Sequence, residues 1–180
     1  MSSDETTNLD PTELAVLERR VPGSVIGDPR KAAGESAPIW ILCAKFNGSI
    51  TARLCEGALD AFNANGMTTE SLRLAWVPGA FELPLAAKRS ITDGGARAVV
   101  CLGSVIRGDT PHFDYVAGEC AAGIRQVCLE TGVPVVFGVL TTENVDQARQ
   151  RSNPGESNKG YEAAITALEM LDVIRQMQSG

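Results

Sequence analysis

A chain of 180 residues with 44% hydrophobic composition is long enough to bury one sizeable α/β core. No apolar run reaches the roughly 18 residues that span a bilayer, and a formal net charge of -6 argues against a nucleic-acid surface. The stretch Met1 to Asp10 is polar and acidic, without the basic and apolar regions of a secretory leader, so the expected location is the cytoplasm.

Residues 1–37 read as an N-terminal tail and residues 38–180 as one domain. The tail carries Pro11, Pro22 and Pro29 and several charges, without a sustained apolar period. A short helix is predicted over Pro11–Arg20, and the rest of the tail is expected to be largely mobile or docked on a neighbouring chain. Pro38–Ala44 is a continuous apolar run, predicted as a buried strand. Ser49–Asn63 repeats Ile50, Leu54, Ala58 and Phe62 at helical spacing and stops at Gly66. Leu72–Val77 alternates as a second strand. Phe81–Ile91 reads as a helix ended by Asp93-Gly94-Gly95, and Ala96–Ile106 contains a third strand. A helix over His112–Thr131 is closed by Gly132. A strand over Val133–Leu140 follows, then a short helix over Asn144–Arg151, a polar turn through Pro154 and Gly155, and a final helix over Gly160–Gln178.

Strands separated by helices imply a parallel sheet with right-handed crossovers and helices on both faces. Ligands on such sheets bind beyond the carboxyl ends of the strands. The segments Lys45–Asn47, Pro78–Glu82, Gly103–His112 and Thr141–Asn144 should therefore share one rim. Gly103–His112 runs from a strand into a helix, whose first backbone N–H groups can bind an anion. Its spacing is that of a nucleotide phosphate loop, but Asp109 stands where the lysine would be, which favours a single phosphate over a nucleoside triphosphate. The alternative is that Gly108-Asp109-Thr110 merely turns the chain and caps the helix. His112 is the chain's one histidine and so the candidate for imidazole acid–base work, or else an incidental surface residue. Phe46 either stacks on a flat heterocycle or folds into the core. Glu82 either accepts hydrogen bonds from a ligand or serves as a first-turn partner of the helix dipole. Arg151 and Lys159 flank the polar turn and matter only if they reach a neighbouring subunit's site. Cys43, Cys55, Cys101, Cys120 and Cys128 form no C-x-x-C pair and read as buried, reduced thiols, with no spacing suited to a metal.

Five blocks, Lys45–Asn47, Trp76–Pro84, Leu102–Tyr115, Phe137–Asn144 and Asn158–Gly160, together resemble the lumazine synthase family in order and spacing over about residues 38–178. The resemblance implies a flavodoxin-like three-layer sandwich around a four-stranded parallel sheet of order 2-1-3-4. It implies a transferase of riboflavin biosynthesis that joins 5-amino-6-(D-ribitylamino)uracil to 3,4-dihydroxy-2-butanone 4-phosphate, releasing phosphate and water, with no cofactor and no metal. By the same resemblance Phe46 stacks on the pyrimidine, Ala80, Phe81 and Glu82 bind the ribityl chain and ring region, and Ser104, Val105 and Ile106 bind the pyrimidine edge. Asp109 and Thr110 hold the phosphate mainly through backbone N–H groups, and His112 moves the protons. Phe137, Arg151 and Lys159 arrive from the adjacent subunit of a pentamer. A sixty-subunit shell and an association with riboflavin synthase are further implications. The long tail departs from short members that donate a leading strand to a neighbour's sheet, a part Ser24–Ile26 could play. Pro154 sits in the turn that governs shell assembly. A binding protein that kept the pocket and lost catalysis, and a shell protein with vestigial catalysis, are the alternatives.

Overall fold

The computed structural model describes residues 11–21, 23–32 and 37–179. Four strands, β1 (Ile39–Ala44), β2 (Leu72–Val77), β3 (Ala98–Ile106) and β4 (Val135–Thr142), form one sheet in the order β2-β1-β3-β4. Every pairing is parallel, with Ile39 opposite both Leu72 and Ala98 and with Val99 opposite Val135. The helices are α1 (Pro11–Arg20), α2 (Gly48–Ala64), α3 (Leu83–Thr92), α4 (His112–Thr131), α5 (Val145–Arg151) and α6 (Lys159–Ser179). The predicted flavodoxin-like α/β architecture and strand order are those observed.

Successive side chains of a strand point to opposite faces, and this alternation divides the interior in two. Ile39, Ile41 and Cys43 of β1 and Val100 and Leu102 of β3 face α2 and α6, where Leu54, Phe62, Ala164 and Leu168 complete one core. Leu42, Ala44, Val99 and Cys101 face α3 and α4, packing on Leu83, Ala87, Cys120 and Ile124. Strands buried on both faces read as unbroken apolar runs, as β1 does. The five cysteines are free, and all but Cys128 are buried. Burial pushes the Cys101 thiol up and the Cys120 thiol up to about 12, while the neighbouring Cys55 sulfur and burial raise Cys43. These three groups pack as small protonated hydrophobes.

Several boundaries differ from expectation for local reasons. The predicted strand from Val133 begins instead at Val135, since Pro134 has no N–H to give the ladder. It runs on through Thr141 and Thr142, whose β-branched side chains suit a strand, and the Arg107 N–H reaches the Thr142 carbonyl at 2.9 Å. The helix expected over Phe81–Ile91 splits into a 3-10 turn at Ala80–Glu82 and α3, because Pro84 fits only the first turn of an α-helix.

Part of the segment read as tail lies on its own domain. Among the described residues, Ser24–Ile26 joins no strand of this chain. From Ile26 onward the chain follows α6, with Gly27 so close to the Glu169 backbone that a Cβ would collide with it. The Asp28 N–H donates to Asp172 Oδ2 at 2.9 Å, and Gln176 Nε2 donates to the Ile26 carbonyl at 2.7 Å. A 3-10 turn at Pro29–Ala32 then buries Ala32 in the core. Arg97 donates to the Ala37 carbonyl at 2.8 Å and the Ala32 carbonyl at 3.0 Å. Residues 1–10 and 33–36, also read as tail, lie outside the described residues.

The Asp28 N–H, then Arg175 and Gln176, hold the Asp172 carboxyl below its usual range. A depressed carboxyl stabilises the fold fully above the unfolded value of about 3.9 and loses that contribution as pH falls through the lower folded value. Asp172→Asn should therefore lower the melting temperature near neutrality and flatten its fall on acidification. Thermal melts between pH 7 and pH 2 check this, and parallel curves for the two proteins would contradict the assignment.

Candidate active site

The rim takes shape where the ladder outlasts the strands. Beyond β1 the Lys45 N–H donates to the Val77 carbonyl at 2.9 Å and the Phe46 N–H to the Pro78 carbonyl at 3.2 Å. Phe46 is thereby carried past the sheet to a position 74% exposed, not folded into the core. Asn47 then turns the chain with φ 54, in the left-handed region that asparagine tolerates. Its side-chain amide donates to the Ser104 carbonyl at 2.8 Å, tying the end of β1 to β3. The sequence places Asn47 on the rim but does not reveal this tie, for which asparagine before glycine at a strand end is the available clue.

Beyond β2 the turn at Ala80–Glu82 buries Ala80 and leaves Phe81 57% exposed. Glu82 is exposed, and its carboxylate folds back over Gly79, where a Cβ would stand 3.1 Å from Oε2. Beyond β3 the loop through Gly108 and Thr110 leads to α4, whose first residue is His112. Among the described residues no side chain caps α4, so of the turning and capping considered for Gly108-Asp109-Thr110 only the turn is seen.

These segments and the first turns of α4 enclose a cavity of about 610 Å³, within the size range of small-molecule sites. Of the residues singled out from sequence, Phe46, Ala80, Phe81, Glu82, Ser104, Val105, Ile106, Thr110 and His112 line it, with Asn47, Phe113 and Tyr115 added. The Ser104 hydroxyl is buried without a hydrogen-bond partner among the described residues. Asp109 lies between two lining residues but lines neither this cavity nor the cleft described next.

Phe137, Arg151 and Lys159 lie elsewhere. They line a second cleft of about 620 Å³ against β4 and α6, shared with Thr141, Glu162 and Met170. Phe137 is 40% exposed on β4, the sheet's edge. Arg151 donates weakly to the Gln147 carbonyl at 3.5 Å, and Lys159 Nζ pairs with Glu162 at 2.8 Å. One chain thus carries two separate groups of candidate residues, on two surfaces. Among the described residues no group of three His, Cys, Asp or Glu side chains is arranged to hold a metal ion, and no helix is long and apolar enough to cross a membrane.

Asn158 builds the second cleft from beneath. It is 1% exposed, and its Nδ2 donates to the Arg53 carbonyl at 3.1 Å and the Ser152 carbonyl at 3.0 Å. Its Oδ1 accepts the Gly160 N–H at 2.8 Å. One side chain therefore joins α2, the end of α5 just past Arg151, and the start of α6 at Lys159. Gly57 and Gly160 make room, since a Cβ on Gly57 would strike Asn158 and one on Gly160 would strike the Leu54 carbonyl. Asn158→Ala leaves the Ser152 carbonyl and the Gly160 N–H without their side-chain partner, at about 1–3 kcal/mol each. The melting temperature should fall by roughly 5–15 °C, with the deficit visible in a calorimetric scan. A fall of under about 2 °C would mean water replaces the amide freely.

Comparison with known proteins agrees with this geometry. The family model described as 6,7-dimethyl-8-ribityllumazine synthase matches residues 36–175. A 6,7-dimethyl-8-ribityllumazine synthase of Protochlamydia amoebophila (strain UWE25) is 52% identical over 141 residues, covering 78% of this chain and 82% of the relative. The matched stretch contains the whole sheet, every residue lining the cavity and every residue lining the second cleft, and the chain belongs to the 6,7-dimethyl-8-ribityllumazine synthase family.

Proposed function

We propose that this chain condenses 5-amino-6-(D-ribitylamino)uracil with 3,4-dihydroxy-2-butanone 4-phosphate to 6,7-dimethyl-8-ribityllumazine, phosphate and water, the penultimate step of riboflavin biosynthesis. The observation that carries the reading is the gathering of Phe46, Phe81, Glu82, Ser104 and His112 around one rim cavity in a chain of this family. Mixing the purified protein with both substrates tests it directly: lumazine fluorescence appears, and its absence would reduce the chain to a binding or shell protein.

In this reading the exposed ring of Phe46 stacks on the pyrimidine, while Ala80, Phe81 and Glu82 hold the ribityl chain and ring region. Ser104, Val105 and Ile106 meet the edge of the pyrimidine, and the buried Ser104 hydroxyl gains the partner that a buried polar group calls for. The uncapped start of α4 turns backbone N–H groups toward the phosphate beside Asp109 and Thr110. The uracil's 5-amino nitrogen adds to the butanone carbonyl, and loss of water leaves an imine. Removal of a carbon-bound proton then expels phosphate by elimination, and the enol so formed tautomerises to a ketone. The ribitylamino nitrogen adds to that carbonyl and loses a second water to close the ring. Each step moves a proton among nitrogen, carbon and oxygen. His112, the one histidine of the chain, stands on the cavity wall to carry it.

A site built from one chain would lack Phe137, Arg151 and Lys159, which line the other cleft. The reading therefore joins the cavity of one subunit to the second cleft of the next around a pentamer, with Phe137 closing over the pyrimidine and Lys159 reaching the same site. Arg151 pairs with the phosphate, a charge-assisted contact suited to its planar fork. Five free thiols fit a cytoplasmic location, where disulfides are rare, and the product would pass to riboflavin synthase, the partner this reading implies.

Three outcomes follow from these assignments. His112→Ala lowers turnover by on the order of 10–10³-fold in steady-state assays, since proximity supplies much of the remaining rate. Arg151→Ala raises KM for the butanone phosphate far more than KM for the pyrimidine. Mixed assemblies of the two variants regain activity, because some sites then receive both native residues, and no recovery in demonstrably mixed particles would contradict a shared site. For the assembly, light scattering on a 19.0 kDa chain separates five subunits from sixty. Sixty is expected from the short Ser152–Asn158 connection, against which Pro154 works by fixing φ and lacking an N–H.

A further inference from the structure

Arg107 is a rim cation engaged with carboxylates instead of either cleft. Its Nε donates to Glu143 Oε2 at 2.8 Å and its Nη1 to Asp114 Oδ1 at 3.2 Å. The guanidinium lies 4.2 Å from the centroid of the Phe113 ring, within the range of a cation–π contact. Its backbone N–H is bonded to the Thr142 carbonyl at 2.9 Å.

Each partner belongs to a different part of the site. Asp114 lies in the first turn of α4, just after His112, and Phe113 lines the rim cavity. Glu143 opens the turn into α5: its N–H donates to Gln147 Oε1 at 2.9 Å, and the Gln147 N–H donates to Asn144 Oδ1 at 2.9 Å. The Gln147 carbonyl in turn accepts from Arg151. A single side chain is thus bonded toward His112 on one side and toward Arg151 on the other.

We infer that Arg107 is a positioning residue for the reaction, fixing the 108–112 loop against the rim cavity and the start of α5, hence Arg151, against the second cleft. The inference rests on the proposed roles of Thr110, His112 and Arg151 toward the butanone phosphate. Arg107 does not itself bind that phosphate, because two carboxylates already occupy its fork and oppose its charge. Lysine cannot substitute, since an ammonium offers a point charge in place of a planar fork that bridges two acids and stacks on a ring. Exposed ion pairs are individually weak. The consequence is therefore geometric: a loop free to move by about 1 Å loses up to about a hundredfold in rate.

The test compares Arg107→Gln, Arg107→Lys and Glu143→Gln with the native protein, each checked for unchanged assembly mass. Arg107→Gln is expected to raise KM for the butanone phosphate about three- to thirtyfold and to lower kcat several-fold. KM for the pyrimidine should stay within about twofold, and Arg107→Lys should recover little. Glu143→Gln decides the sign. A positioning role predicts weaker butanone phosphate binding, whereas tighter binding would make Arg107 a phosphate ligand that Glu143 restrains, and would overturn the inference. Hydrogen exchange gives a readout independent of turnover: amides of 108–112 and of 143–147 should both exchange faster in Arg107→Gln. Unchanged exchange in both segments would also overturn it. If the native protein makes no lumazine, the reaction reading fails on that result alone, and the exchange comparison still judges Arg107.

Discussion

A parallel sheet must end all of its strands on one rim, and the rest of this molecule depends on that constraint. Because β1, β2 and β3 run together, the chain leaves them side by side as Phe46, Pro78 and Arg107. No long-range folding of loops is required to assemble the cavity. Short turns suffice, and the bonds from Lys45 and Phe46 to Val77 and Pro78 show the ladder extending past the strands to do it. The fourth strand ends on the same rim but at the edge of the sheet, so its outward residues face a different surface. The two clefts are the two consequences of one strand order.

The rigid parts lie directly beneath the chemical ones. β3 is buried along most of its length, and the loop it feeds carries Thr110 and His112. Asn47 braces that loop's root through the Ser104 carbonyl, and Asn158 does the same for Lys159 through three elements. In the proposed reaction, exposed side chains on braced backbone suit a site that must hold two substrates together. The net charge of -6 repels a phosphorylated substrate at long range, so recognition depends on local donors whose field is not screened by distance.

Much of this could be read from the sequence because its periodicities are strong. The apolar runs of β1 and β3 and the helical spacing of Ile50, Leu54, Ala58 and Phe62 specify faces, and faces specify layers. The rim followed from strand direction alone, and so did the clustering of Phe46, Glu82 and His112. What could not be read depends on single side chains meeting across long separations in the chain. Asp172 reaches back to Asp28, and nothing in the polar composition of residues 26–32 marks them as belonging to the domain instead of the tail. Arg107 and Glu143 look like two solvated charges until β3 and β4 are laid side by side. Asn158 sits in a polar turn, where burial is the last property its neighbours suggest. Periodicity reports what is apolar and how often, and it has no term for a polar group satisfied in the interior.

The joint between α2 and α6 also limits how this sequence can drift. Gly57 has no room for a side chain because Asn158 fills the space, and Asn158 fits because Gly57 is bare. A change at either position alone meets a collision or leaves the Ser152 carbonyl and the Gly160 N–H without their side-chain partner. The two positions are therefore epistatic, and a lineage leaving this pair must cross a less stable intermediate or change both residues together. Gly160 is not released by either route, since its obstacle is the Leu54 backbone itself, and no substitution elsewhere in the chain removes a carbonyl.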